Sequence, residues 1–213
     1  KRGTCYWNFE KLQKVCNWAD CEGIQLHMHA IGDGAVHTAV EAIKRAIDIN
    51  GSLGKTYHVI THLQLADDED LDIMAKYKIV AAVQPYWICC VGESYSVDRK
   101  NLGNRVESEY KLASLLNRGV LVTGSSDSPV VEQPIAFWAM RQALLRENRK
   151  EIPGVDQLIK MFTENAAKQL GLEQQFGRIE EGYRADFIAL NKEVTEETIC
   201  KKEIEIVKRI TFF

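Results

Sequence analysis

Three residues with metal-ligating side chains each lie at the end of a short apolar run. His29 lies near the end of GIQLHMHA, His62 ends YHVITH, and Asp127 follows VLVTGSS. Runs of this length and composition are typical of buried strands, so each side chain is expected at the carboxyl end of a strand. Two imidazoles and a carboxylate suit Zn²⁺ or a similar divalent ion, which lowers the pKa of a bound water to about 7. The carboxylate would then pass a proton to a leaving group.

The alternative for each histidine is a hydrogen-bonded core residue, which is the commoner role of an imidazole on a strand. We assign packing or indirect roles of that kind to His27 and His58, which lie deeper in their strands. His37 falls in a helical stretch and is expected to be solvated. For His29 and His62 the spacing leaves both interpretations open.

Short apolar runs alternate with amphipathic stretches along most of the chain. Repeated β-α units with short turns indicate a parallel sheet or barrel, and polar residues at strand ends, Gln84 among them, match the catalytic face of a TIM barrel. Four units instead of eight predict half of such an α/β barrel. The pattern predicts helices over residues 8–22, 35–50, 65–77, 110–117, 136–148 and 155–170, and strands over 24–30, 57–61, 79–84 and 120–124.

Two parts of the chain depart from this alternation. Residues 86–108 form a connection predicted to be irregular, and a connection of that length is typical of functional loops. Arg105 lies late in it and is either a surface residue or one that reaches over a pocket. From residue 173 the stretches RIEEGYRADFIALN and KEIEIVKRITFF predict strands, so we expect a half-barrel over 1–172 and part of an appended β domain over 173–213.

Composition limits the class of protein. The chain has 213 residues, of which 46% are hydrophobic and 27% charged, as in a soluble globular protein. Its 27 Lys and Arg against 30 Asp and Glu give a net charge of −3, so nucleic acid is not expected as a partner. The lack of a membrane span, of a signal peptide and of paired-cysteine motifs predicts a cytoplasmic protein with free thiols. The neighbouring Cys89 and Cys90 are taken as incidental.

Two other catalytic motifs are not matched. NGSLGKT ends like a phosphate-binding loop, but Gly51 and Gly54 are too close together for that motif. The segment GSSDSPV lacks the spacing of a serine nucleophile elbow.

Four segments together resemble one known family in family order. HMHAIGDGAVHTAVEAI resembles the strand and helix around "HAIGD" in metal-dependent amidohydrolases of the YtcJ-like type, the branch that contains N-substituted formamide deformylase. THLQLADDEDLDIMAKYKIVAAVQP is similar to its "EHAQ … D … QP" segment, and GSSDSPV to its "GSDAPV". NAAKQLGLEQQFGRIEEGYRADFIALN resembles the stretch that leads into its appended β domain. The match runs from about residue 23 to 191.

The resemblance implies a role for each candidate residue. His29 and His62 would be metal ligands at barrel strands five and six, and Asp127, after strand eight, would be a ligand and the proton shuttle. Arg105 matches a family arginine that contacts substrate, and Gln84 belongs to the "QP" segment beside the pocket. The implied cofactor is a divalent metal, most simply Zn²⁺, with one or two ions in a complete enzyme.

The sequence also departs from the family pattern. The HxH pair of the first strand and a metal-bridging lysine of the fourth strand are absent, and Gly34 and Thr61 replace the usual Arg and Glu. We therefore expect a carboxyl-terminal fragment that is inactive alone, taken from a cytoplasmic hydrolase of C–N bonds in non-peptide amides. Its expected partners are a small-molecule amide and a second copy of itself. The alternatives are a half-barrel that binds no metal, or a metal-dependent phosphoester hydrolase.

Overall fold

A computed structural model of the protein describes residues 3–88 and 93–211, so the Cys89–Cys90 pair lies outside the described residues. The helices and strands follow each other in the order that the sequence predicts, with further helices between them. In chain order they are α1 (Phe9–Cys21), β1 (His27–Ala30), α2 (Asp33–Asn50), β2 (Val59–His62), α3 (Asp68–Tyr77), β3 (Val80–Val83), α4 (Glu93–Leu102), α5 (Leu112–Asn117), β4 (Val122–Gly124), α6 (Ala136–Leu145), α7 (Val155–Met161), α8 (Glu164–Gln169), β5 (Asp186–Leu190), α9 (Glu196–Cys200) and β6 (Ile206–Thr211).

The described residues divide into two compact units. Unit 1 contains the chain up to Val83 together with Glu107–Val122, and unit 2 contains Gln84–Val106 and the chain from Thr123 onward. β1 to β3 therefore belong to unit 1, and the division falls inside β4. This division differs from the predicted one between a half-barrel over 1–172 and an appended β domain over 173–213. The boundary at residue 173 stays a prediction.

A parallel sheet forms the centre of unit 1. Its strands follow the order β1-β2-β3-β4, and β1 pairs with β2 so that His27 lies opposite Val59 and Ala30 opposite His62. β2 continues in parallel register with β3, and the Ala81 N–H donates to the carbonyl oxygen of Leu121 at 3.0 Å. The predicted parallel α/β arrangement is confirmed.

Two helices cover one face of this sheet. α1 begins after Asn8, whose side chain accepts the N–H of Glu10 at 2.9 Å, as N-cap residues do. α1 packs on α2 through a buried apolar cluster. Burial there, with Asp20 nearby, raises the pKa of the Cys16 thiol to about 11. The members of the cluster are Leu12, Cys16, Ala42 and Ala46, with Phe9, Leu26 and Met28 packed against them.

Two predictions about helices were wrong. Residues 86–108 are not an irregular connection, because α4 and a 3₁₀ helix over Gly103–Ser108 occupy most of its described part. The α4 sequence ESYSVDRKNL has too few apolar residues to show helical periodicity. The predicted helix 155–170 is split into α7 and α8 at Thr163, where a Cβ on Gly177 would lie 2.8 Å from the Cα of Glu164. The chain at Gly177 therefore packs directly against this break.

The last two strands form a sheet of their own in unit 2. β5 and β6 pair in antiparallel fashion, with Asp186 opposite Thr211 and Ala189 opposite Lys208. The strands predicted in these two stretches are thus present, and their assignment to an appended domain stays a prediction. Within the ranges that the structure covers, the helices are all too short or too polar to cross a bilayer.

Candidate metal centre

β1 turns its two histidines away from the helices. Leu26 and Met28 pack against the cluster between α1 and α2, and the alternating side chains of His27 and His29 are exposed on the other face. His29 lies opposite Thr61 of β2. Because His27 is exposed, the core packing role predicted for it was wrong.

His62 meets His29 because its backbone is left-handed. Strand alternation alone would give His62 the face of Ile60, which is opposite Met28 and faces the helices. His62 instead has φ 72° and Leu63 has φ 53°, a region that costs non-glycine residues about 1–2 kcal/mol each. In this conformation the rings of His29 and His62 lie edge to face, with centroids 4.5 Å apart and planes at 70°.

This pair of imidazoles has the chemistry that a divalent ion needs from two of its ligands, and nearly the spacing. With Zn–N bonds of about 2.0–2.1 Å and tetrahedral angles, two imidazoles on one ion have ring centroids roughly 5.2 Å apart, somewhat farther than the 4.5 Å between these two rings. The His62 ring is buried and the His29 ring is open to solvent. Over residues 3–88 and 93–211, however, no set of three His, Cys, Asp or Glu side chains is grouped for metal binding. The structure thus brings together two of the three predicted ligands.

Asp127 belongs to unit 2, and its convergence with the two histidines stays a prediction. It is half-buried and, like His62, has a left-handed backbone, with φ 60°. Its carbonyl oxygen accepts the N–H of Val130 at 2.8 Å, which closes a tight turn just after β4. A non-glycine residue stays in the left-handed region only where the surrounding structure holds it there. Such residues are found more often at functional sites than elsewhere.

The two predicted substrate residues, Gln84 and Arg105, also belong to unit 2. Gln84 follows β3 and is buried, and its Nε2 donates to the Ser125 hydroxyl at 2.7 Å. Within unit 2, this bond joins Gln84 to the segment that carries Asp127. Arg105 lies in the 3₁₀ helix and is exposed. Their contact with a substrate stays a prediction.

His58 is a hydrogen-bonded core residue, as predicted. Its Nε2 lies 2.8 Å from Oδ1 of Asp20, and its Nδ1 accepts the N–H of Leu26 at 3.1 Å, so the ring proton is on Nε2. Asn50 and Ser52 donate to the other Asp20 oxygen at 2.8 and 2.6 Å. Although burial opposes its ionisation, the hydrogen bonds from Ser52, Asn50 and His58 hold the pKa of Asp20 below its ordinary value.

Asp20 is a residue that the sequence analysis missed. It lies near the end of α1 and is 38 residues from His58, so no local motif joins the two. The available signal was an acidic residue at a helix position that the apolar periodicity of α1 places toward α2.

His37 is exposed as predicted, but it has a partner. Its Nδ1 lies 2.9 Å from Oδ1 of Asp70, a carboxylate that is almost completely buried in the first turns of α3. Burial raises the pKa of Asp70, and the neighbouring His37 opposes that rise. This pair joins α2 to α3 and shares no residue with the His29–His62 contact.

Comparison with known proteins confirms the family that the sequence resembles. The amidohydrolase family model matches residues 2–205. The chain is 29% identical over 194 residues to "Putative amidohydrolase YtcJ" of Bacillus subtilis, covering 85% of this chain and 35% of that protein. It is 30% identical over 200 residues to "Protein LONG AFTER FAR-RED 3" of Arabidopsis thaliana, covering 88% of this chain and 33% of that protein.

A solved structure has the same fold. An uncharacterised metal-dependent hydrolase from Pyrococcus furiosus superposes with a TM-score of 0.71 at 24% identity, over 87% of this chain and 37% of that one. The chain thus spans about a third of the length of the curated relatives that it matches. With the family model covering almost all of its residues, the chain belongs to the amidohydrolase family.

Proposed function

We propose that the chain forms the carboxyl-terminal half of a TIM-barrel amidohydrolase. In this proposal β1 to β4 are barrel strands five to eight, and residues 173–213 belong to the appended β domain. The complete protein is a cytoplasmic enzyme that hydrolyses the C–N bond of a non-peptide amide. The contact between the rings of His29 and His62 carries the proposal, because it puts two ligands at the ends of adjacent parallel strands.

His29 and His62 are the proposed ligands of a divalent ion, with Asp127 as the third. We propose Zn²⁺, with one or two ions in the complete enzyme, because imidazole and carboxylate are both ligands that it accepts. When bound, such an ion lowers the pKa of a water to about 7 and polarises a carbonyl oxygen.

The protein's own groups move the proton and hold the substrate. The carboxylate of Asp127 accepts a proton from the attacking water and passes it to the nitrogen of the departing amine. The exposed guanidinium of Arg105 donates hydrogen bonds to the amide substrate, and Gln84 contacts the same substrate from the end of β3. The proposed partners are this small-molecule amide and a second copy of the chain.

A metal titration tests the proposal without requiring turnover. Zn²⁺ added to the purified chain and followed by calorimetry is expected to bind weakly, because the described contact brings together two of the three proposed ligands. His29→Ala and His62→Ala should each lower the affinity by at least about tenfold, since each removes a direct ligand.

His27→Ala is the matched control. It removes another exposed imidazole from the same face of β1, two residues before His29, and is expected to leave the affinity unchanged. Equal Zn²⁺ affinities in the wild type, His29→Ala and His62→Ala would contradict the metal site.

A further inference from the structure

The segment that begins at the last residue of β2, His62, holds two consecutive residues in the left-handed region. His62 and Leu63 are both non-glycine, so this backbone conformation is strained and persists only if neighbouring contacts hold it. If residue 62 relaxed to the extended conformation of β2, strand alternation would return its side chain to the face of Ile60. The His62 ring would then leave His29.

Main-chain hydrogen bonds attach this segment to the end of β1. The Leu63 N–H donates to Ala30 and the Leu65 N–H donates to Ile31, each at 3.0 Å. These bonds extend the pairing of β1 with β2 past His62. They attach the segment to the residues that follow His29. The opposite side of the segment needs other contacts to hold it.

Residues before α5 hold that other side. The Tyr110 N–H donates to the carbonyl oxygen of Gln64 at 2.8 Å, and the Gln64 side chain donates from Nε2 to Oε1 of Glu109 at 2.6 Å. Glu109 is 8% exposed, and a hydrogen bond to a buried carboxylate is stronger than one between neutral groups. Glu109 is 45 residues from Gln64, so the bond joins two separate parts of unit 1.

We infer that Glu109, acting through Gln64, is a positioning residue that keeps the His62 imidazole against His29. The consequence of this inference rests on the proposed function: the two proposed metal ligands are already in place before an ion binds. The carboxylate itself does not touch the ion or the substrate in this scheme. It fixes Gln64, which fixes the backbone that carries His62.

The ring contact can be measured in the metal-free chain by NMR. With centroids 4.5 Å apart, His29 and His62 should show a nuclear Overhauser contact between their ring protons, which His62→Ala assigns by removing it. Glu109→Ala is expected to abolish this contact. Glu109→Gln keeps an acceptor oxygen for Gln64 and is expected to restore it.

Lys111→Met is the matched control. It breaks an ion pair of the same segment, from Lys111 Nζ to Asp68 Oδ1 at 3.2 Å, and is expected to leave the ring contact intact. If Glu109→Ala does not fold, Gln64→Met removes the donor of the same bond while keeping the side-chain length. A ring contact that persists in a folded Glu109→Ala or Gln64→Met chain would overturn the inference.

Zn²⁺ calorimetry on the same variants separates this inference from the proposed function. Glu109→Ala is expected to lower the affinity about tenfold, as loss of an orienting partner does, and Glu109→Gln to restore most of it. A wild-type chain that shows the ring contact and binds no Zn²⁺ would contradict the proposed function while leaving the positioning role supported. Zn²⁺ binding by the wild type, with an unchanged ring contact in Glu109→Ala, would support the proposed function and contradict the positioning role.

Discussion

His58 and His62 lie four residues apart, yet their imidazoles have opposite surroundings. His58 is closed on both ring nitrogens by Leu26 and Asp20 in the interior beside α1. His62 is turned by its left-handed backbone to the ring of an exposed histidine. The same residue type is therefore part of a buried hydrogen-bond network at one position and contacts a second imidazole at the other.

Asp20→Asn is expected to lower the free energy of unfolding by about 3 kcal/mol, because it disrupts a buried, charged hydrogen-bond network. Urea denaturation at neutral pH measures this change. Asp48→Asn is the control, since Asp48 is an exposed carboxylate that accepts from the Tyr77 hydroxyl at 3.0 Å, and its loss should cost well under about 1 kcal/mol. Equal losses in both variants would contradict the special role of Asp20.

The same network predicts a pH dependence. The pKa of Asp20 is lower in the folded chain than in the unfolded chain, so its contribution to stability is complete well above the ordinary value. That contribution is lost as the pH falls below about 4 and through the lower folded value. The free energy of unfolding of Asp20→Asn should therefore fall less steeply with acidification than that of the wild type.

At the residue scale the sequence predicts positions better than conformations. The ends of apolar runs singled out His29 and His62, whose rings lie against each other in the structure, and their role as metal ligands stays a prediction. The left-handed torsion of His62 could not be predicted, because the segment is held by hydrogen bonds to the carbonyl oxygens of Ala30 and Ile31 and by one from the N–H of the distant residue Tyr110. Glu109 was missed for the same reason.

At the scale of elements, the helices and strands of unit 1 follow their predicted order, and the ends of strands are the least accurate part. β1 begins at His27 instead of residue 24. The Ile24 N–H donates to Ala19 of α1 at 2.8 Å and the Leu26 N–H donates to the His58 ring, so both are withheld from the sheet. These competing bonds come from packing that the local pattern does not contain.

The end of β4 makes a steric prediction. A Cβ on Gly124 would lie 2.6 Å from Cε1 of Phe162, closer than real side chains approach. Gly124→Ala should therefore overpack this contact and lower the free energy of unfolding by about 1–3 kcal/mol, measured by urea denaturation. Gly34→Ala is the matched control, because its added methyl group meets open space in α2, and it should be neutral or stabilising.

A second-site change identifies the cause. Phe162→Leu shortens the side chain that Gly124→Ala would meet, so the double variant should lose less stability than the two single changes added together. Strict additivity would show that the cost of Gly124→Ala has another origin.

At the scale of the whole molecule, the chain spans about a third of the length of the curated relatives that it matches. A catalytic zinc site generally uses three protein ligands, and the described contact supplies two imidazoles. A misplacement of about 1 Å can cost on the order of a hundredfold in rate. We therefore predict that the 213-residue chain shows no measurable hydrolysis of N-substituted amides, even with excess Zn²⁺.

Turnover measured by amine release across a panel of such amides checks this. His29→Ala is the control that separates the chain's own activity from a contaminating enzyme. Metal-dependent turnover that disappears in His29→Ala would show that the chain is active by itself.

The buried thiol of Cys16 can report local opening of unit 1. Cys5 and Cys21 are exposed and should react with an alkylating reagent within its ordinary reaction time, whereas Cys16 is fully enclosed between α1 and α2. Its alkylation requires α1 to separate from α2, so the labelling rate reports how often that separation occurs. Mass spectrometry of the Cys16 peptide over time would thus measure how often this helix pair opens in the wild-type chain.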